Sequence, residues 1–294
     1  MAEVSVVVPN YNGKEHLARL IDSLAAQTFK DYEVIFVDDC SSDRSVPSTI
    51  QELVGRHANM RLVENERNVG FVKTCNRGIA LADGQYVCLL NNDTEVAREF
   101  VARNVATMEA DPSIGILSCV VVDRNGDNWF SGGAINRGIP IILHDDFTGV
   151  RPVDWVAGTA CFYRREVFDK AGPLNEDLFM YHEDVEFCLR VRKSTGYRAC
   201  MFSDKLVTHY RDDAAVKNRD FYYYSARNRA LVLKQYFPKR AYAVRLLFYT
   251  TPLEIAHAMA KSPGNSARLL APSFHKIRGT WDGLTTRSGQ LHRK

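Results

Sequence analysis

The feature that most constrains this chain is a repeated change of hydrophobic period in its first third. Short, nearly unbroken apolar runs, Val4-Ser-Val-Val-Val8, Val34-Ile-Phe-Val37 and Tyr86-Val-Cys-Leu-Leu90, alternate with segments whose apolar residues fall three and four apart, as at Leu17, Leu20, Ile21 and Leu24. A run apolar at every position suits a strand buried on both faces, whereas the wider spacing gives a helix with one apolar stripe. Helices are predicted over residues 45–57, 70–81 and 97–110, and a short strand over 60–63. Asn12-Gly13-Lys14-Glu15 has the pattern of a capping box that opens the first helix. This β-α-β-α rhythm predicts an α/β chain with a mostly parallel central sheet flanked by helices. Ligands of such sheets bind beyond the strand C-termini. The first positions to inspect are therefore Pro9 to Asn12, Asp38-Asp39 and Asn91-Asn92-Asp93.

The middle, residues 114–158, is punctuated by Gly132, Gly133, Gly138, Pro140, Gly149 and Pro152 and reads as strands joined by long loops. Further on, strands are predicted over 155–163, 199–202 and 206–209, and helices over 180–193 and 216–237. After residue 238 there are ten Lys and Arg against two Asp and Glu, a net charge of +8 that leaves −5 for the preceding part. The shift divides the chain into a catalytic domain over 1–238 and a basic, helical C-terminal extension over 239–294.

Composition excludes several classes. The net charge of +3, with no basic stripe interleaved with aromatics in the first two-thirds, argues against nucleic acid as a partner. The seven cysteines form no Cys-x-x-Cys pair, which suits reduced, buried thiols in a cytoplasmic protein. The N-terminus starts on a strand-like run without the charged and apolar regions of a signal peptide. The most apolar long segment, 241–260, is interrupted by Arg245, Pro252 and Glu254 and is a poor membrane span. It does suit peripheral contact with an anionic membrane surface, or equally packing back on the catalytic domain. No Gly-x-Gly-x-x-Gly follows a strand, and neither a P-loop nor a Gly-x-Ser-x-Gly elbow is present.

Taken singly, each candidate residue has two readings. Asp38 and Asp39 can accept hydrogen bonds from a nucleotide, or cap a helix or Asx turn. Asn91-Asn92-Asp93 can hold a divalent cation through oxygen ligands, or form a turn. Asp184, in His182-Glu183-Asp184, can act as a general base, or complement a helix dipole. His209, after a strand, can meet a metal or be structural. The arginines of Arg227-Asn228-Arg229 can meet a phosphate or form a wet helix face, while Phe221-Tyr-Tyr-Tyr224 reads as packing.

Taken in order, the motifs resemble the family-2 glycosyltransferases, inverting enzymes of the GT-A fold, and look most similar to the rhamnosyltransferase-like branch. The resemblance spans residues 3–235. It rests on Val4-Ser-Val-Val-Val-Pro-Asn-Tyr-Asn12, Val37-Asp-Asp-Cys-Ser-Ser-Asp43, Asn65-Glu-Arg-Asn-Val-Gly-Phe71, Leu89-Leu-Asn-Asn-Asp-Thr94, Gly158-Thr-Ala160 and Phe179-Met-Tyr-His-Glu-Asp-Val-Glu-Phe-Cys-Leu-Arg190. The resemblance implies that Pro9, Asn10, Tyr11, Asp38, Asp39, Asn68, Asn91 and Asn92 serve the nucleotide. It places Gly158, Thr159 and Glu183 by the donor sugar or acceptor, and Asp93, with His209, on Mg2+ or Mn2+. Asp184 would be the base that deprotonates an acceptor hydroxyl. The partners implied are a nucleotide-sugar donor and a glycan or lipid-linked acceptor. Asn91 departs from the family's usual Asp-x-Asp and leaves one carboxylate for the metal. Rival readings are a sugar nucleotidyltransferase, which would need a Gly-rich basic loop after the first strand, and a non-catalytic carbohydrate-binding protein, which has no need of both Asp93 and Asp184.

Overall fold

The computed structural model describes residues 2–136, 139–210, 219–237 and 266–285. It divides into two compact units. The first comprises residues 1–134, 141–174 and 187–211, and the second residues 135–140, 175–186 and 212–294.

The first unit is built on strands β1 (Val4–Asn10), β2 (Tyr32–Asp38), β3 (Met60–Glu64), β4 (Tyr86–Leu90), β5 (Thr94–Val96), β6 (Ile114–Val122) and β7 (Asn128–Phe130). A two-stranded ribbon follows, β8 (Gly132–Asn136) with β9 (Ile139–Leu143). Strands β10 (Val150–Val153), β11 (Ala160–Arg164) and β12 (Arg198–His209) then return to the main sheet, whose order is β10-β12-β6-β11-β4-β1-β2-β3. Strands β3, β2, β1 and β4 are mutually parallel, β11 runs antiparallel between β4 and β6, and β6 is again parallel to β12. The fold class expected from the alternating periods is the one observed.

All seven residues of β1 are buried, as the near-continuous apolar run requires of a central strand. Helix α1 (Lys14–Ala25) buries Leu17, Leu20, Ile21 and Leu24, its whole apolar stripe. Each such side chain contributes about 1.5–3 kcal/mol of burial free energy. Helices α2 (Ser45–Val54), α3 (Phe71–Leu81), α4 (Phe100–Ala110) and α5 (Arg165–Ala171) complete the flanking layers. The side on which successive parallel strands are added reverses at β1, because β2 lies on one side of it and β4 on the other. Such a switch point opens a crevice at the strand C-termini, where Asn10, Asp38 and Asn91 stand.

Several local expectations need correction. The capping box at Asn12 does not form: the α1 N-cap is Gly13 and receives no side-chain hydrogen bond. Asn12, at φ 57, instead donates its Nδ2 to Ser42 Oγ at 2.8 Å and accepts the Asp43 N–H at 3.1 Å. Its amide ties the β1 loop to the β2 loop rather than capping the helix. The strand expected over 155–163 is confined to β11, with Trp155 making only an isolated bridge to Gly133. The two strands expected over 199–209 are one strand, β12, whose register shifts around Lys205 break the apolar pattern.

The second unit holds a 3-10 turn (Glu176–Leu178), the start of α6 (Glu183–Ser194), and helices α7 (Arg219–Tyr236) and α8 (Ser266–Thr285). The expected boundary at residue 238 is not where this unit begins, because α7 packs on α8 and also holds residues 177–181 by hydrogen bonds. Residues 216–218 and the apolar segment 241–260 lie outside the described residues. Among the described residues, no helix is long and apolar enough to cross a membrane. All seven cysteines are free, and all but the half-buried Cys40 are buried.

Candidate active site

At the ends of β1 and β2 the polar side chains form one hydrogen-bonded relay. Asn10 Nδ2 donates to Asp38 Oδ1 at 2.8 Å, and Ser41 donates to the same carboxylate through Oγ at 2.6 Å and through its backbone N–H at 2.9 Å. On the other side, Asn92 Nδ2 donates to Asn10 Oδ1 at 2.6 Å. Asp38 and Asn10 are both buried, so these contacts satisfy groups that water does not reach. The relay thus ties the β2 turn, the β1 end and the β4 end together.

Asp39 is held from the adjoining loop. Its Oδ1 accepts from Asn65 Nδ2 at 2.8 Å and Val69 N–H at 2.9 Å, and its Oδ2 from Gly70 N–H at 2.8 Å. Gly70 sits at φ 92, a backbone state open to glycine, and is the N-cap of α3. Pro9 is buried in β1, Tyr11 presents its ring to solvent at 48% exposure, and Asn68 is exposed on the loop before Gly70. A buried acidic turn beside an exposed aromatic suits a nucleoside, with the ring available for stacking.

Close packing at Gly13 protects the relay. A Cβ there would lie 1.9 Å from Asn92 Nδ2 and 2.9 Å from Asn10 Oδ1. Gly13→Ala is therefore expected to break the Asn92–Asn10 contact and destabilise the protein by about 1–3 kcal/mol. Denaturant titration measures this, and wild-type stability would show that Asn92 can swing clear.

The end of β4 carries the candidate metal ligands. The Asn91 N–H donates to Thr159 O at 2.9 Å, fixing the β4 end against Gly158-Thr159, the entry to β11. Asp93 Oδ1 lies 3.2 Å from His209 Nε2, and the Tyr210 N–H donates to Asp93 O at 2.8 Å. His209 closes β12, which pairs with β5 directly after Asp93, and its ring meets Trp129 edge-to-face at 4.6 Å. Burial raises the Asp93 pKa, but the His209 ring beside it and the more distant His16 outweigh that effect, and the net direction is downward. Asp93 therefore stays ionised.

Asn91 Oδ1 and Asp93 Oδ1 are buried without a hydrogen bond, and Asp93 Oδ1 has the Nε2 edge of the His209 ring at ion-pair distance; His209 Nδ1, on the other edge of the ring, is also buried without one. Orphaned buried polar atoms are uncommon and call for a partner. Two oxygens, one of them anionic, and an imidazole fit a divalent ion such as Mn2+ or Mg2+ that takes its other ligands from phosphate. Among the described residues no group of three His, Cys, Asp or Glu is placed to hold a metal ion, so Asn91 would have to supply one of the ligands.

In the second unit, α6 begins with Glu183 and Asp184. The helix expected from residue 180 starts later because Phe179, Tyr181 and His182 have φ of 60, 66 and 65. Side-chain-bearing residues seldom adopt this left-handed conformation, and each costs about 1–3 kcal/mol. Asn228 of α7 holds the strained segment: its Nδ2 donates to Leu178 O at 2.6 Å, Met180 O at 2.7 Å and Tyr181 O at 2.9 Å. Arg227 orients that amide by donating to Asn228 Oδ1 at 2.8 Å and also donates to Asp177 O at 3.0 Å. Arg227 is 1% exposed, so the reading of a wet helix face fails for it. Phe221 and Tyr224 pack on Tyr181 and Phe179, as the aromatic run suggested.

Asp184 Oδ1 accepts the Val185 N–H at 2.7 Å. Burial, and then the charge of Asp184, push the Glu183 carboxyl up to about 8, and its Oε2 is buried without a hydrogen bond. Burial, and then Arg229, pull His182 down to about 4, so its ring is neutral. Asp184 stands beside Glu183 at the start of α6. Glu183 also makes the stability pH-dependent. Its folded pKa exceeds the unfolded value of 4.5, so the native state holds the extra proton from there up to about 8. Stability should fall as pH rises through that window and level off above it. Glu183→Gln should flatten the slope in denaturant titrations between about pH 5 and pH 8; an unchanged slope would place the proton elsewhere.

Asn65, Ser41, Trp129, Asn228 and Tyr236, whose hydroxyl donates to the buried Glu186 at 2.6 Å, were not singled out as site residues in the sequence. Ser41 and Asn65 stand inside motifs that carry the family resemblance and Asn228 inside Arg227-Asn228-Arg229, whereas Trp129 and Tyr236 carry no such signal.

Residues 5–172 match the profile described as glycosyl transferase family 2. Among curated proteins, the chain is 25% identical over 260 residues, 85% of this chain and 80% of the relative, to the low-salt glycan biosynthesis hexosyltransferase Agl10 of Haloferax volcanii. It is also 25% identical over 236 residues, 70% of this chain and 75% of the relative, to the N-acetylglucosaminyl-diphospho-decaprenol L-rhamnosyltransferase of Mycobacterium tuberculosis. The solved mannosyltransferase PcManGT from Pyrobaculum calidifontis, in complex with GDP-Man and Mn2+, superposes with a TM-score of 0.62 at 21% identity, covering 97% of this chain and 88% of that one. GalNAc-T7 with UDP, GalNAc and Mn2+ gives a TM-score of 0.69 at 20% identity, covering 92% and 54%. At these identities the likeness establishes the GT-A fold.

Proposed function

The chain belongs to glycosyl transferase family 2, and on that premise we propose that it is an inverting, divalent-metal-dependent enzyme. It moves a sugar from a nucleotide-diphosphate donor to a hydroxyl of a glycan or lipid-linked glycan, in the synthesis of a cell-surface polysaccharide or glycoconjugate. It works in the cytoplasm, in peripheral contact with the inner face of the membrane through the C-terminal extension. The observation that carries the reading is the pair of orphaned oxygens on Asn91 and Asp93, the latter beside His209 Nε2, flanking Asn92 of the Asn10–Asp38 relay.

In this reading Tyr11 and Asp39 hold the base and Asp38, Asn10 and Asn92 keep the β1, β2 and β4 ends in register, with Asn68 closing the nucleotide side. Gly158, Thr159 and Glu183 border the sugar and acceptor. Asp93, Asn91 and His209 hold Mn2+ or Mg2+, which when bound supplies positive charge for the departing diphosphate. The Asp184 carboxylate takes the proton of the acceptor hydroxyl as its oxygen attacks the anomeric carbon from the side opposite the diphosphate. One displacement of this kind inverts the anomeric configuration.

Thermal unfolding against a panel of nucleotide diphosphates and nucleotide-sugars, with and without Mn2+, tests the proposal. Saturation about 100-fold above Kd stabilises by about 2.7 kcal/mol, a shift of several degrees. One nucleotide class should raise the Tm in the presence of Mn2+, and Asp93→Ala should abolish the metal-dependent part. If no nucleotide shifts the Tm with metal present, the non-catalytic reading replaces this one.

A further inference from the structure

Helix α8 has two unlike faces. On one, a Cβ at Gly279 would lie 2.3 Å from Tyr223 O, and one at Gly283 would lie 2.3 Å from Arg227 O. The α8 backbone thus runs directly against α7, reinforced by Tyr223 Oη donating to Asp282 Oδ2 at 2.7 Å and Lys234 Nζ donating to Leu284 O at 2.9 Å. The other face presents Phe274, Ile277 and Trp281, which are 60%, 51% and 57% exposed. At about 100° per residue these three fall within about 60° of one another, and their midline stands about 170° from that of the two glycines. A helix anchored so closely on one side still exposes its largest apolar side chains on the other.

We propose that this Phe274-Ile277-Trp281 face docks on an anionic lipid surface, with the helix lying in the plane of the membrane. Charge points to lipid. The chain is +8 beyond residue 238 and −5 before it, and the exposed Arg278 flanks the apolar stripe. The carboxylate nearest the stripe, Asp282, is engaged by Tyr223 and Arg278. An interfacial helix combines these features: a narrow apolar stripe that includes Trp, with a cation at its edge. A second copy of the chain fits less well, since two segments of net charge +8 repel and three side chains are too small a patch for a stable dimer. The inference deepens the lipid-linked-acceptor reading and rests on it for its purpose.

The test is co-sedimentation of the full chain with vesicles of phosphatidylcholine alone or with about 30% phosphatidylglycerol. Wild type should pellet with the anionic vesicles, and Phe274→Ser with Trp281→Ser should lower partitioning at least about tenfold. The same variant should keep the nucleotide-dependent Tm shift, which shows that it is folded. Failure of the wild type to bind anionic vesicles would overturn the inference and the peripheral membrane contact proposed above, and leave the sugar-transfer reading standing. Vesicle binding without any nucleotide shift would do the reverse. A concentration-dependent dimer in sedimentation velocity that Trp281→Ser abolishes would assign the face to self-association and overturn the lipid assignment.

Discussion

Asp184→Asn is expected to lower kcat by about 10²–10⁴-fold, the usual contribution of a positioned general base, while nucleotide-sugar affinity is nearly unchanged. Asparagine keeps the shape of the side chain and its capacity to accept the Val185 N–H, so the start of α6 should stay intact. What it loses is the basic lone pair. Initial rates with the donor identified by thermal shift, together with donor titration, separate the two effects. Near-wild-type turnover would remove Asp184 from the chemistry and move attention to Glu183. That outcome would also have to explain how a carboxyl pushed up to about 8 by burial works as a base near neutrality.

Asn228→Ala should have the largest effect of any substitution remote from the reacting groups. One amide nitrogen serves three backbone carbonyls in a segment with three left-handed residues. The amide has two protons to share among them and Leu178 O also accepts the Met180 N–H, so a loss of about 1–3 kcal/mol is expected. If Asn228 is a positioning residue for Asp184, kcat should fall well beyond what residual unfolding explains, while donor affinity is kept. Asn228→Asp separates size from chemistry, since it matches in shape but cannot donate, and it should be as damaging. Loss of stability with full specific activity in the folded fraction would make Asn228 purely structural.

The contrast between Asp38 and Asn228 shows what could be read in the sequence. Asp38 and Asp39 follow a strand whose apolar run is unmistakable, and a strand end in a parallel sheet is a place where ligands bind, so periodicity alone led there. Strands β1, β2 and β4 and the stripe of α1 were legible for the same reason: their neighbours in space share one rule of burial. The support for residues 179–182 comes from Asn228, almost fifty positions away, and a single polar residue in a helix carries no mark of its partner. Asn12 misled in the opposite direction. Asn, Gly and Glu at capping spacing favour a cap locally, but two partners on the β2 loop compete for the same amide and win. The resemblance places Asn91 by the nucleotide and leaves Asp93 as the one carboxylate for a metal; that the Asn91 Oδ1 is buried without a hydrogen bond is visible only in the structure.

The relay from Ser41 through Asp38 and Asn10 to Asn92 has a thermodynamic consequence for any ligand that orders one of its ends. Such a ligand lowers the conformational entropy that remains to be lost at the other end, so the second ligand binds an already ordered site. Linkage makes the gain mutual: whatever factor a cation at the Asn91–Asp93 end adds to nucleotide affinity, the nucleotide returns to the cation. A site with a single carboxylate need not bind its ion tightly in isolation if the nucleotide carries part of the affinity across this bridge. Separate and joint titrations would then give two weak constants and one strong one, their ratio measuring the coupling free energy between the two ends of the site.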